Sequence, residues 1–257
     1  MKKMLFICMV GSLFFLTSVA TASEVVSVNT VGYTPAPKLK ANGYVQVGIN
    51  FEAVNAESGV DIRINDLFAE QFPGQFNANL LAADADQIII DSATYYYTYS
   101  PAAPGNTYWR RLGTAGATED CLPVGAAVWF FRQSYEIEDF VLVGQATTIP
   151  DFNLEVKADG YTMISNTYPI DMPLNSENVF WINATPNLLA ADADQIITES
   201  ATYYYTYSPA APETFYWRRL GTAGATGDVI FAGNAAWYWR QNSEGASFIF
   251  LNPYVDL

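Results

Sequence analysis

No histidine occurs anywhere in the 257 residues. That removes the side chain that most often serves as general base near neutral pH or as ligand for zinc and copper. With it go all Ser-His-Asp and Cys-His catalytic arrangements. Cysteine is almost missing too: Cys8 sits in the N-terminal apolar run and only Cys121 lies beyond it, so no intramolecular disulfide braces the chain. Positive charge is scarce, with 12 Lys and Arg against 26 Asp and Glu and a formal net charge of −14. Such a chain repels phosphate backbones and anionic lipid, which argues against nucleic acid and membrane surfaces as partners. Beyond the N-terminus no apolar run reaches the roughly 20 residues of a transmembrane helix.

What is present begins with Lys2 and Lys3, an apolar stretch from Met4 to about Leu16, and the small residues Ala20-Thr21-Ala22. This pattern predicts a signal peptide over residues 1–22 and a mature chain starting at Ser23. Loss of Lys2 and Lys3 with the leader takes the net charge from −14 to −16. The expectation is a secreted protein, extracellular, cell-surface or periplasmic, that is soluble or peripherally attached and stabilised by burial of its core.

Set against itself at an offset of 108, the chain repeats. Leu80 to Arg132 aligns without a gap on Leu188 to Arg240, with 39 of 53 positions identical. Upstream, Lys40 to Tyr44 resembles Lys157 to Tyr161 at an offset of 117, so nine extra residues lie in the first copy, expected between Phe51 and Leu80. Two units of ordinary domain size follow, residues 23–147 and 148–257. Within each unit the apolar pattern has period two, as in Tyr95, Tyr97 and Tyr99, and in the aromatic run from Ala127 to Phe131. Gln87 to Asp91 and Tyr95 to Tyr99 read as a hairpin, ended by Pro101, Pro104 and Gly105 as turn residues. Further strands are expected at 45–51, 108–112, 140–143, 162–165 and 248–251, and one short helical turn at 64–71. The fold class is all-β: two tandem homologous antiparallel β-sandwich-like domains from an internal duplication.

Several short motifs mark the chain: Val28-Asn29-Thr30-Val31-Gly32-Tyr33, Gly43-Tyr44 before a strand, Asn65-Asp66-Leu67-Phe68, Gly160 to Asn166, and the Ala-x-Trp-Phe strand. In these the sequence resembles a group of uncharacterised, exported, β-rich bacterial repeat proteins. The resemblance implies secretion and a repeated β fold, and brings no catalytic residue with it.

Two constellations recur in both copies. Asp84 and Asp86, with Asp192 and Asp194, place carboxylates at i and i+2, as calcium loops do. Their plainer reading, which we prefer, is acidic turn residues before a strand; no cofactor is then expected, calcium being the alternative. Trp109-Arg110 and Trp217-Arg218 could form a platform for a sugar ring. The preferred reading places each tryptophan in the core, with its arginine outward on a carboxylate or a tyrosine. Trp129 and Trp237 read as core strand, Arg132 and Arg240 as strand ends, and Cys121, aligned with Val229, as an inert buried thiol. Paired carboxylates could hydrolyse glycosides without histidine, but no pair is singled out. The sequence thus points to a secreted, non-enzymatic structural or surface-associated protein. A carbohydrate-binding module pair is the alternative, and a glycoside-active enzyme ranks below both. Polysaccharide or other surface proteins are the expected partners. A row of outward Trp and Tyr on one sheet would favour sugar binding.

Overall fold

The structure, a computed structural model, describes residues 31–54, 60–138 and 140–254. The expected signal peptide and residues 28–30 of the opening motif lie outside those residues. Strands in the N-terminal half are β1 (Val31–Pro35), β2 (Gly43–Gly48), β3 (Ile62–Arg63), β4 (Gln87–Ile90), β5 (Ala93–Ser100), β6 (Ala103–Arg111), β7 (Cys121–Leu122), β8 (Ala127–Arg132) and β9 (Val141–Gln145). The C-terminal half continues with β10 (Asp151–Val156), β11 (Gly160–Ser165), β12 (Met172–Pro173), β13 (Val179–Ile182) and β14 (Gln195–Ile197). It ends with β15 (Thr202–Ser208), β16 (Ala211–Arg219), β17 (Val229–Ile230), β18 (Ala235–Arg240) and β19 (Ala246–Leu251).

The protein is all-β, built of antiparallel sheets, none of which closes into a barrel among the described residues. Each half carries one five-stranded sheet, in the order β2-β8-β4-β5-β6 and then β11-β18-β14-β15-β16, with matching registers. The hairpin legible in the sequence is β4–β5, closed by Asp91 and Ser92, with Asp91 at φ 48°, a conformation Asp tolerates better than most residues. Pro104 and Gly105 differ from the expectation: only Pro101 and Ala102 form the turn, and Pro104 and Gly105 belong to β6, an edge strand, where a missing N–H costs no ladder bond.

Alternation decides the core. Val45, Val47, Tyr95, Tyr97, Trp109, Val128 and Phe130 point to the buried face of the first sheet. There Trp109 meets Tyr97, Phe76 and Phe130 with ring centroids 5.2–5.6 Å apart, and Phe68, Phe72, Phe140 and Leu142 close the core from the other side. In the second half Trp217, Trp181, Tyr238 and Phe248 fill the same space, Trp181 lying 4.9 Å from Trp217.

The second layer is where the halves diverge. In the C-terminal half β13 pairs with β19; in the N-terminal half a single π-helical turn, Asn65–Glu70, stands in that region. Gln71, just after it, uses its side-chain amide in place of a strand, donating to the Val143 carbonyl at 2.7 Å and accepting from the Val143 N–H at 3.0 Å. Asn65 and Asn175 are equivalent: each accepts from the backbone N–H of the core tryptophan at 2.7 Å and donates to a carbonyl of the loop beyond it. Aligned on these residues, the nine-residue difference divides into two parts. Residues 49–61 exceed 166–171 by seven, and 66–76 exceed 176–184 by two. No helix among the described residues is long and apolar enough to cross a membrane.

Candidate functional site

The acidic pairs do not act as pairs. Asp84 and Asp192 end short 3-10 turns and are exposed, whereas Asp86 and Asp194 are wholly buried on arginines. Arg132 Nη1 donates to Asp86 Oδ2 at 2.5 Å, and Arg240 Nη1 donates to Asp194 Oδ2 at 2.6 Å. Asp86 also accepts from the backbone N–H groups of Asn77 and Gln133. Burial raises its carboxyl above the usual range, against the pull of those bonds and of the Arg132 charge. The backbone changes from a 3-10 turn to extended between the two carboxylates, at Ala85 and Ala193, and so leaves one in solvent and carries the other into the interior. No group of three or more Cys, Asp or Glu side chains placed to hold a metal occurs among the described residues.

The tryptophan-arginine platform separates in the same way. Trp109 and Trp217 are fully buried in the cores, so neither can stack on a sugar. Arg110 and Arg218 lie on the opposite face, over the rings of Tyr96 at 5.5 Å and Tyr204 at 5.8 Å, as the plainer reading held.

A second set of aromatics, on the outer faces of β2, β8, β11 and β18, is exposed or half-buried. Trp129 and Trp237, expected in the core, alternate with the buried Val128, Phe130, Ala236 and Tyr238 and so project from the outer face. There the two sheets meet. Trp129 and Trp237 lie 6.2 Å apart across the junction. Tyr44 packs on Trp129 at 6.1 Å and on Phe131 at 4.4 Å; Tyr161 packs on Trp237 at 5.9 Å and stacks on Trp239 at 6.0 Å. The six rings form one ribbon from Phe131 to Trp239, and Tyr44 and Tyr161 are 54% and 52% exposed.

Equivalent residues meet across this junction in exchanged roles, the signature of an approximate two-fold axis. Gly48 N–H donates to the Gly233 carbonyl at 2.8 Å, while Ser165, the counterpart of Gly48, donates from Oγ to the Gly125 carbonyl at 2.7 Å. Lys40 pairs with Glu199, and Lys157, its counterpart, lies 4.0 Å from Asp91. Gln46 bridges the halves directly: with its amide turned to the orientation that satisfies both neighbours, it donates to the Ala235 carbonyl at 3.3 Å and accepts from Trp237 Nε1 at 3.0 Å.

Beside the ribbon lies a cleft of about 690 Å³, walled by Tyr44, Gln46 and Trp129 from one half and by Tyr203, Arg219 and Asp228 from the other. Arg219 Nη1 stands 3.5 Å from Asp228 Oδ2. Burial, then a hydrogen bond with Asp228, pushes the Tyr203 phenol up to about 12, so it stays protonated at neutral pH. The first half has the same three residue types in the same places: the Tyr95 hydroxyl donates to Asp120 at 2.8 Å, and Arg111 lies 3.6 Å from Asp120.

Cys121 corrects another expectation. It is exposed and free on β7, not buried; desolvation and the neighbouring Asp61 carboxylate hold its thiol above the ordinary value. Native protein should therefore react with a thiol reagent at Cys121, faster as pH rises into the alkaline range. Cys121→Ser should shift the melting temperature by less than about 2 °C, a typical surface effect. A thiol that labels only after unfolding would contradict the placement.

Comparison with protein-family models, curated proteins and solved structures gives no match.

Proposed function

We propose that this chain, exported behind the leader of residues 1–22 and organised as two domains, 23–147 and 148–257, is a non-catalytic protein that binds a neutral polysaccharide along its aromatic ribbon. The observation that carries the reading is the row of rings from Phe131 through Tyr44, Trp129, Trp237 and Tyr161 to Trp239, with both tyrosines more than half exposed. Pyranose rings present flat C–H faces that pack on aromatic rings, and a tyrosine or tryptophan adds a polar edge for the hydroxyls. The net charge of −14 favours an uncharged polymer over an acidic one. One ligand site spanning both repeats replaces the two separate sites suggested by the sequence, since the ribbon crosses the axis between them.

Tyr44→Ala and Tyr161→Ala test this with little risk to folding, because both side chains stand on the surface. Affinity gel electrophoresis in soluble β-glucan, galactomannan and xylan should show retardation by at least one polymer. Each substitution should then weaken binding by about tenfold or more, the size of an aromatic hot spot. No retardation in any polymer would return the protein to a purely structural, surface-associated role.

A further inference from the structure

The ribbon explains stacking but not recognition of hydroxyls, and the cleft beside it offers what the ribbon lacks. Its volume of about 690 Å³ lies in the range of small-ligand pockets. Tyr44 connects the two features, since it belongs to the ribbon and also walls the cleft. The polar groups in the cleft differ in how far they are already committed. Glu199 is taken by Lys40, and Gln46 by Ala235 and Trp237. Arg219 and Asp228 face each other at 3.5 Å with side chains 46% and 36% exposed, so the pair is partly open to solvent. Tyr203, its hydroxyl engaged by Asp228, lines the same wall.

An arginine beside an aspartate is neutral as a pair and presents donors and acceptors side by side. A phosphate or carboxylate ligand would gain from Arg219 and lose to Asp228 and Glu199. A purely apolar ligand would desolvate the pair without replacing its lost water contacts. Two adjacent hydroxyls match it, one accepting from Arg219 and the other donating to Asp228. Resting on the polysaccharide reading above, we propose that the cleft seats one neutral hexose residue of the bound polymer. Its vicinal hydroxyls bridge Arg219 and Asp228, and its ring packs against Tyr44.

The test uses the full mature chain in affinity electrophoresis with soluble β-glucan, galactomannan and xylan, comparing wild type with Arg219→Gln, Asp228→Asn, Arg219→Lys and Tyr161→Ala, each checked for an unchanged melting temperature. In the polymer that retards wild type most, Arg219→Gln and Asp228→Asn should each weaken binding by about tenfold. Arg219→Lys, which keeps the charge and the ion pair but not the planar fork, should lose several-fold; it serves as the reading if the other two unfold. Tyr161, which lies on the ribbon away from the cleft, separates the two ideas. If Tyr161→Ala weakens binding while all three cleft variants bind like wild type, the ribbon stands and the hexose subsite is overturned. If wild type itself is not retarded by any of the three polymers, both fall.

Discussion

Arg132→Met is expected to destabilise the protein by about 3–5 kcal/mol, the loss typical of leaving one partner of a buried ion pair uncompensated. For a chain of this size that lowers the melting temperature by around 10 °C. The cause is local and countable. Arg132 donates to Asp86 at 2.5 Å, to the Gln75 carbonyl at 2.7 Å and to the Tyr135 carbonyl at 2.5 Å, while its guanidinium lies 4.8 Å from the Tyr135 ring. It thereby ties the loop before β4 to the end of β8, and its side chain is 1% exposed. Arg240→Met should behave alike, since Arg240 holds Asp194 and the carbonyls of Asn183 and Glu244. Asp86→Asn strands the Arg132 charge in the same way and keeps an oxygen for only one of the Asn77 and Gln133 N–H groups, which Asp86 accepts on different oxygens, so it should cost about as much as Arg132→Met. The double variant should recover part of the loss, because the stranded charge is gone. Urea unfolding measures all four; a loss under 1 kcal/mol for Arg132→Met would contradict the burial of the pair.

Gly48→Ala should strike the junction between the halves rather than either core. A methyl group there would lie 2.6 Å from the Asn234 carbonyl oxygen and 2.8 Å from Ser165 Cβ. The backbone opposite has little room to retreat, because Gly233, at φ 76°, is itself packed on the Pro35 carbonyl. Overpacking of this kind costs about 1–3 kcal/mol, and the bond from Gly48 to Gly233 adds roughly another 1 kcal/mol if it opens. Trp129 and Trp237 meet at this junction, so their fluorescence should shift to the red as they gain water. Gly105→Ala, where a methyl group meets nothing within 4 Å, is the matched control and should leave both stability and fluorescence unchanged. Equal behaviour of the two variants would show that the halves do not dock as described.

Alternation along the chain made the strands legible: it placed β4, β5, β8, β11 and β19 and put Trp109 inward. It could not say what faces the other side. Trp129 sits between two core residues in the sequence, so a strand rich in aromatics on both faces reads as buried throughout; only the sister sheet shows that its outward residues form a ribbon. The burial of Asp86 was illegible for a related reason, since its partner Arg132 lies 46 residues away and the Asp-Ala-Asp spacing alone resembles a metal loop. Cys121 was misplaced because its counterpart is valine, yet the β3–β7 pair is only two residues long and leaves the thiol in solvent. Strand β13 and the π-helical turn diverge because residues 66–76 and 176–184 differ in length and in sequence, where the repeat gives no guide.

The number of ligands bound per chain tests the central claim most directly. Titration calorimetry of the full mature chain, with an oligosaccharide from the polymer that binds best, should give one ligand per chain. Tyr44→Ala and Tyr161→Ala should each lower the affinity while the stoichiometry stays at one, because both rings serve a single ribbon. Two ligands per chain, falling to one with unchanged affinity in either variant, would mean two independent sites and would contradict the shared ribbon across the axis.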